Sequence, residues 1–326
     1  SKSYTQLSAD YQSVMKGTAK GDELETLVTL ADFNKIAGVE FRHMYGLEWK
    51  DASKFWLSQG GKYVEYDISN KTAKVLVELP EEAENPSQSE SVGHVAYTVD
   101  NNIRILGTDG KTHTVTDIDD PNIVSGQAIA RSEFGITQGF FWSPNGSRLA
   151  FYQKDESNVG DYPLLDNSTT PGTLRNIKYP MAGQGSEKAR VGIYDLSSKK
   201  LVYFETRNGD ENYLTNVSWT PDNKFILVAE VNRDQDHMWL NVYEAGSGKF
   251  VKTLLEEESD TWVEPEHPAF FPEDGSNNFV WISEKDGFNN LYYYNFEGEL
   301  IKQLTEHDFV VNNIIDYVEG RIYYQT

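Results

Sequence analysis

A single glutamate, Glu133, stands ahead of the segment FFWSPNGSRLAFY (residues 140–152), and the loop QKDESNVGDYPLLD behind it carries Asp155, Glu156, Ser157 and Asp161. Carboxylates gathered on one side of a turn can hold a cationic group. Taken alone, Glu133 reads as a solvated loop acid, as do the acidic runs LLEEESD and ELPEEAEN. Groups for covalent chemistry are missing. There is no Gly-x-Ser-x-Gly nucleophile elbow and no cysteine thiolate. The six histidines, His43, His94, His113, His237, His267 and His307, show no His-Glu-x-x-His or other metal-ligand spacing. Arg233, in AEVNRDQDHMW, reads as a partner for an acid of its own sheet before it reads as a ligand contact. The tripeptides starting at Asn145, Asn167 and Asn216 match the glycosylation pattern, which is common by chance. No catalytic residue, metal site or cofactor is therefore expected within these 326 residues.

The formal charge of −22 disfavours nucleic acid and anionic lipid as partners and weakly favours cationic ligands. No apolar run of about 18 residues exists, so no transmembrane segment is expected. The chain starts at SKSYTQLSAD without an initiator Met or an apolar leader, so a signal peptide is expected to have been removed. Absence of cysteine leaves the compartment open.

Tyr 19, Phe 16 and Trp 7, many beside Val, Ile and Thr, give the chain a β-rich bias. Five segments repeat one pattern of strand, polar turn and strand, starting at Tyr63, Ile103, Val191, Leu240 and Leu291. Setting aside an insertion of about 37 residues after Tyr152, their spacing is about 40 to 51 residues, the period of propeller blades of four strands each. FFWSPNGSRLAFY, VSWTPDNKFILVAEV and AFFPEDGSNNFVWISE supply the matching inner hairpins, and their Trp and Phe residues are expected to pack between neighbouring blades. The expected fold is all-β: a β-propeller of four-stranded antiparallel blades, here an incomplete ring of about five to six. Residues 1–46 read as an N-terminal extension, with a short helix in DELETLVTLADFNKIA and a lead-in strand in VEFRHMYGLEW; residues 47–326 read as the truncated propeller. An exposed blade face invites self-association, so a homodimer is among the expected assemblies.

The strings EFGITQGFFWSPNGSRLAFYQKDESNVGDYPLLD, NIKYPMAG, AEVNRDQ, WVEPEHP and NNFVWISEKDGFNNLYYYN, in this order, resemble the N-terminal β-propeller of bacterial dipeptidyl peptidase IV, of the prolyl oligopeptidase class of serine peptidases. The resemblance runs from about residue 20 to the end. It implies an eight-bladed propeller capping an α/β-hydrolase domain that lies outside this chain, and release of X-Pro or X-Ala dipeptides from peptides with a free N-terminus. It places the parent outside the cytoplasm: periplasmic, secreted or on the cell envelope. In the family a Glu-Glu pair ahead of the Trp-Ser-Pro strand binds the substrate α-amino group. Counting back from Trp142, the second glutamate falls on Glu133 and the first on Ser132, with Arg131 before it. The resemblance thus makes Glu133, Ser132 and Arg131 substrate-binding candidates. Asp155 or Glu156 is expected to supply the missing second contact, and Trp262, with Glu264, to line the pocket. A desolvated carboxylate on an ammonium group rejects blocked peptides, because its own charge is then left unpaired. The other reading is a stand-alone propeller that binds a protein or glycan without catalysis.

Overall fold

The computed structural model describes residues 3–18, 21, 23–207, 211–273 and 275–326, with the side chain of Arg131 excluded. The chain divides into two compact units, residues 1–97 with 105–113, and residues 98–104 with 114–326.

The first unit opens with a three-stranded antiparallel sheet, Ser3–Leu7, Ser13–Thr18 and Glu25–Thr29. Helix Leu30–Ala37 follows. Thr29 caps its start by accepting the Asp32 N–H (3.1 Å), and Gly38, left-handed at φ 67°, ends it. The helix is shorter than DELETLVTLADFNKIA suggested, because Glu25–Thr29 is claimed by the sheet. The lead-in strand expected in VEFRHMYGLEW is likewise reduced to Glu48–Trp49. The physical reason is local: the Asn34 side chain takes both backbone groups of Phe41, accepting its N–H (3.1 Å) and donating to its carbonyl (2.9 Å), so no ladder partner is needed there. Phe41 and Met44 turn inward instead, onto a core with Phe33, Phe55 and Tyr66. Strands Glu48–Trp49, Lys54–Gln59, Lys62–Asp67 and Thr72–Glu78 form a four-stranded antiparallel meander. The strands Glu84–Gln88, Val95–Val99, Asn102–Leu106 and Thr112–Thr114 form another four-stranded sheet.

The second unit carries the remaining repeats. Ile123–Ser125, Arg148–Asp155, Lys188–Asp195 and Lys200–Tyr203 form one sheet, with Phe140–Trp142 also paired to Arg148–Asp155. Tyr213–Trp219, Phe225–Val231, His237–Glu244 and Phe250–Glu258 form the next, and Phe279–Ser283, Asn290–Tyr294 and Leu300–Gln303 a three-stranded one. Asn313–Val318 and Arg321–Gln325 pair as a hairpin. The chain is therefore nearly all-β, with four-stranded antiparallel sheets at the expected repeat. Two of the three inner hairpins form as expected. The third, in AFFPEDGSNNFVWISE, is reduced to one bridge between Phe270 and Val280. Pro268 and Pro272 flank its first limb and cannot donate to a ladder.

The two Pro turns use the same chemistry. Ser143 Oγ accepts the Arg148 N–H (3.0 Å) and Thr220 Oγ1 the Phe225 N–H (3.1 Å), each closing the strand after Trp-Ser-Pro or Trp-Thr-Pro. Neighbouring sheets of this unit are tied through them: Trp219 donates its indole N–H to the Phe141 carbonyl (2.9 Å), and Asn223 accepts the Asn145 N–H (3.0 Å). Phe204 stacks on Tyr243 with ring centroids 4.4 Å apart. The Trp and Phe residues thus pack between adjacent sheets, burying the apolar face that each exposes.

Arg148 adds an ion pair to this seam, donating Nε–H to Asp195 Oδ2 (2.9 Å) and an Nη1–H to the Asn223 carbonyl (3.2 Å). Partial burial alone would raise the Asp195 carboxyl. Bonds from the Ser198 N–H, the Ser197 and Ser198 hydroxyls and Arg148 outweigh it and hold the carboxyl well below the usual range. A depressed folded value means stability that is present above the unfolded pKa of about 3.9 and is lost as pH falls through the folded one. Asp195→Asn is expected to cost about 2 kcal/mol at pH 7, with the gap to wild type closing as pH drops below about 4. Urea midpoints at pH 7 and pH 3 measure this; an equal gap at both would contradict it.

Candidate functional site

Glu133 sits on the 3-10 helix Ala130–Gly135. This turn is unusual, because Ala130, Ser132 and Phe134 have φ of 52°, 67° and 56°, in the left-handed region that side chains disfavour. Buried neighbours hold it. Ile129, Phe134 and Ile136 are all in the core, with the Phe134 ring 5.0 Å from that of Tyr213. Between these anchors Ser132 and Glu133 remain exposed. The alternation is what lifts one carboxylate out of an apolar segment. Gly135, at φ 68°, lies so close to the next connection that an added methyl would sit 2.3 Å from the Glu266 carbonyl oxygen.

Glu133 lines a cavity of about 220 Å³ with Glu187, Glu211, Tyr179, Tyr213 and Arg233. Glu187 ends the excursion that leaves strand Arg148–Asp155, runs through the hairpin Asp161–Asp166 and Thr173–Lys178, and returns to strand Lys188–Asp195. Arg233 comes from the turn after Phe225–Val231, where Asn232 Oδ1 accepts the N–H groups of Asp236 (3.1 Å) and His237 (3.0 Å). Its guanidinium lies over the Tyr213 ring (5.1 Å) and donates to the Tyr213 hydroxyl, so the expected acid is replaced by a phenol. Three carboxylates and one guanidinium thus surround the space, a composition suited to an ammonium group with an acceptor beside it.

Trp262, 59% exposed, lines a second hollow of about 300 Å³ with Glu257, Glu264, Glu266, His267 and Lys285. Burial raises the Glu257 carboxyl, which accepts the Trp281 indole N–H (3.2 Å). Glu264 is raised as well, first by partial burial and then by the negative charges of Glu266, Glu133 and Glu284. The field of Glu133 therefore reaches the Trp262 segment. His267 is lowered by burial and suits a neutral ring. Among the described residues no group of three His, Asp or Glu could hold a metal ion.

The structure separates the candidates. Glu133 lines the cavity; Ser132 is exposed on the same turn but is not among the lining residues, and the Arg131 side chain lies outside the described residues. Asp155 and Glu156 do not line it. Hydrogen bonds from the Ser157 hydroxyl and N–H lower the Asp155 carboxyl, and Glu156 is buried 2.9 Å from Lys154 Nζ. Glu187 and Glu211 line the cavity instead. Sequence reading missed both, since Glu187 is about thirty residues further along the loop and only strand register, Asp155 opposite Lys188, brings it back. The match at Asn216 is no acceptor site: the side chain is buried and donates to the Pro265 carbonyl (2.6 Å).

Repeating four-stranded antiparallel sheets define a propeller-type domain, with an acid-lined cavity among its connections. The chain belongs to the family described as the dipeptidyl peptidase IV (DPP IV) N-terminal region, whose model matches residues 46–326. It is 33% identical to a protein described as a dipeptidyl aminopeptidase IV from Bacteroides ovatus, with a TM-score of 0.83 over 93% of this chain and 46% of that one. The dipeptidyl peptidase 4 of Porphyromonas gingivalis, 21% identical, shares the fold at a TM-score of 0.78 over 99% of this chain and 48% of that one. Dipeptidyl aminopeptidase B of Saccharomyces cerevisiae (strain ATCC 204508 / S288c) is 28% identical over 81% of this chain and 34% of its own length. A protein described as dipeptidyl-aminopeptidase B in Tuber melanosporum (strain Mel28) is 26% identical over 86% of this chain and 33% of its own. The chain thus spans about a third of the curated relatives and about half of the solved ones.

Proposed function

We propose that residues 47–326 form the substrate-admitting and specificity region of a serine-type dipeptidyl peptidase that releases X-Pro or X-Ala dipeptides, with residues 1–46 as its N-terminal extension. Glu133 binds the substrate ammonium. The observation that carries this reading is the projection of Glu133 from a strained turn into a cavity shared with Glu187 and Glu211. The nucleophile, base and oxyanion hole belong to an α/β-hydrolase domain supplied from outside this chain, and the parent acts outside the cytoplasm. Two arms test the reading. This chain alone should leave a chromogenic Gly-Pro amide intact, and turnover blocked by a serine-directed phosphonate would contradict that. In an NMR titration, Ala-Pro-amide should shift the amides of residues 129–136 at concentrations where N-acetyl-Ala-Pro-amide does not. Equal shifts from both peptides would favour the stand-alone binding module instead.

A further inference from the structure

The turn that carries Glu133 is held in a costly conformation. A left-handed backbone is unfavourable for any residue with a side chain, and three such residues, Ala130, Ser132 and Phe134, occur within five positions. Such a backbone persists only where its surroundings over-determine it. At the C-terminal end the anchor is apolar, the buried Phe134 ring. At the N-terminal end the buried Ile129 is joined by a single charge: the Ala130 N–H donates to Glu187 Oε1 at 2.7 Å. The Glu187 side chain is only 10% exposed, and its other oxygen lies 3.4 Å from Lys154 Nζ. Lys154 is shared with Glu156, at 2.9 Å and equally buried, and the Glu156 N–H donates to the Asn122 carbonyl (2.9 Å). A buried cluster of two acids and one lysine is a weak source of stability, since desolvation offsets much of its attraction. What it supplies is placement. Lys154 fixes one oxygen of Glu187 where a single backbone N–H can meet it, and that N–H opens the strained turn.

We infer that Glu187, held by the lysine it shares with Glu156, is a positioning residue that sets the turn Ala130–Gly135 and so aims Glu133 into the cavity. The inference rests on the reading of Glu133 as the ammonium anchor. It gives the long excursion after Asp155 a role: its return limb delivers the clamp. It also accounts for Glu156, which acts on the site through Lys154 and not by touching a ligand.

The test uses the chain as it stands, in wild type, Glu133→Gln, Glu187→Gln, Glu187→Asp and Glu187→Ala. Two readouts are taken: the affinity ratio of Ala-Pro-amide to its N-acetyl form, and the HN–Hα couplings of Ser132 and Phe134, which report φ without any ligand. Glu187→Ala should lower the ratio about tenfold and move both couplings away from left-handed values. Glu187→Gln keeps an acceptor for the Ala130 N–H and should stay within about threefold of wild type. Glu187→Asp keeps the charge but draws the oxygen back, and should resemble Glu187→Ala even if the alanine variant does not fold. A merely structural role would lower the thermal midpoint while leaving ratio and couplings as in wild type, and that result overturns the inference. If Glu133→Gln leaves the ratio unchanged, the anchor reading fails on its own, and the couplings still decide whether Glu187 sets the turn.

Discussion

Glu133→Gln, made in the peptidase that this chain is proposed to serve, should lower kcat/KM for a free-amine dipeptide amide about 30- to 1,000-fold, roughly 2–4 kcal/mol. The carboxylate is an exposed member of a turn anchored by buried Ile129, Phe134 and Ile136, so its charge can be removed without touching the core. Folding should barely change, because Ile129, Phe134 and Ile136 remain in place and an exposed substitution shifts stability by only about 0.5 kcal/mol or less. The reverse change, Ser132→Glu, should gain less than about tenfold. Glu187 and Glu211 already line the space, and a further carboxylate adds repulsion of the kind already felt by Glu264. Steady-state kinetics on the three proteins measure both effects. A Glu133→Gln enzyme of full activity would return Glu133 to the status of a solvated loop acid.

Gly135→Ala should have the largest effect on stability among single-methyl changes at the site. Two penalties add. The residue is left-handed, which costs an alanine about 1–2 kcal/mol, and its methyl would press on the Glu266 carbonyl at 2.3 Å, where overpacking costs about 1–3 kcal/mol. A loss of about 2–5 kcal/mol is expected in chemical denaturation. The connection from Trp262 to Glu266 must yield as well, since backbone, not a flexible side-chain end, is in the way. Gly110→Ala is the control: it is also left-handed, but nothing lies within 4 Å of its added methyl, so only the first penalty applies. Equal losses in the two variants would show that the contact with Glu266 carries no weight.

Period and turn chemistry made most of the fold legible. Trp-Ser-Pro-Asn-Gly and Trp-Thr-Pro-Asp-Asn announce hairpins because each residue has a local task, as Ser143, Asn145, Thr220 and Asp222 show by closing their own turns. The failures were also local. Asn34 saturates Phe41 and removes a strand that the apolar pattern allowed, and paired prolines thin the hairpin at Phe270. At the site, counting from Trp142 located Glu133 because the chain between them is short. The second acids could not be found this way. Asp155 and Glu156 are near in sequence, but Ser157 and Lys154 occupy them. Glu187 is distant, and only the pairing of Arg148–Asp155 with Lys188–Asp195 brings it to Ala130. Arg233 misled for a related reason, since acids are plentiful in a chain of net charge −22, yet it is Tyr213 that receives its guanidinium.

A crystal structure of the proposed peptidase with a slowly cleaved free-amine X-Pro peptide shows directly where the substrate ammonium rests. The peptide nitrogen should lie within about 3.2 Å of a Glu133 carboxylate oxygen, with the turn Ala130–Gly135 unchanged and Ala130 still bonded to Glu187. A peptide nitrogen seated against Glu264 and Trp262 in the second hollow, or held by no carboxylate of this chain, would contradict the account.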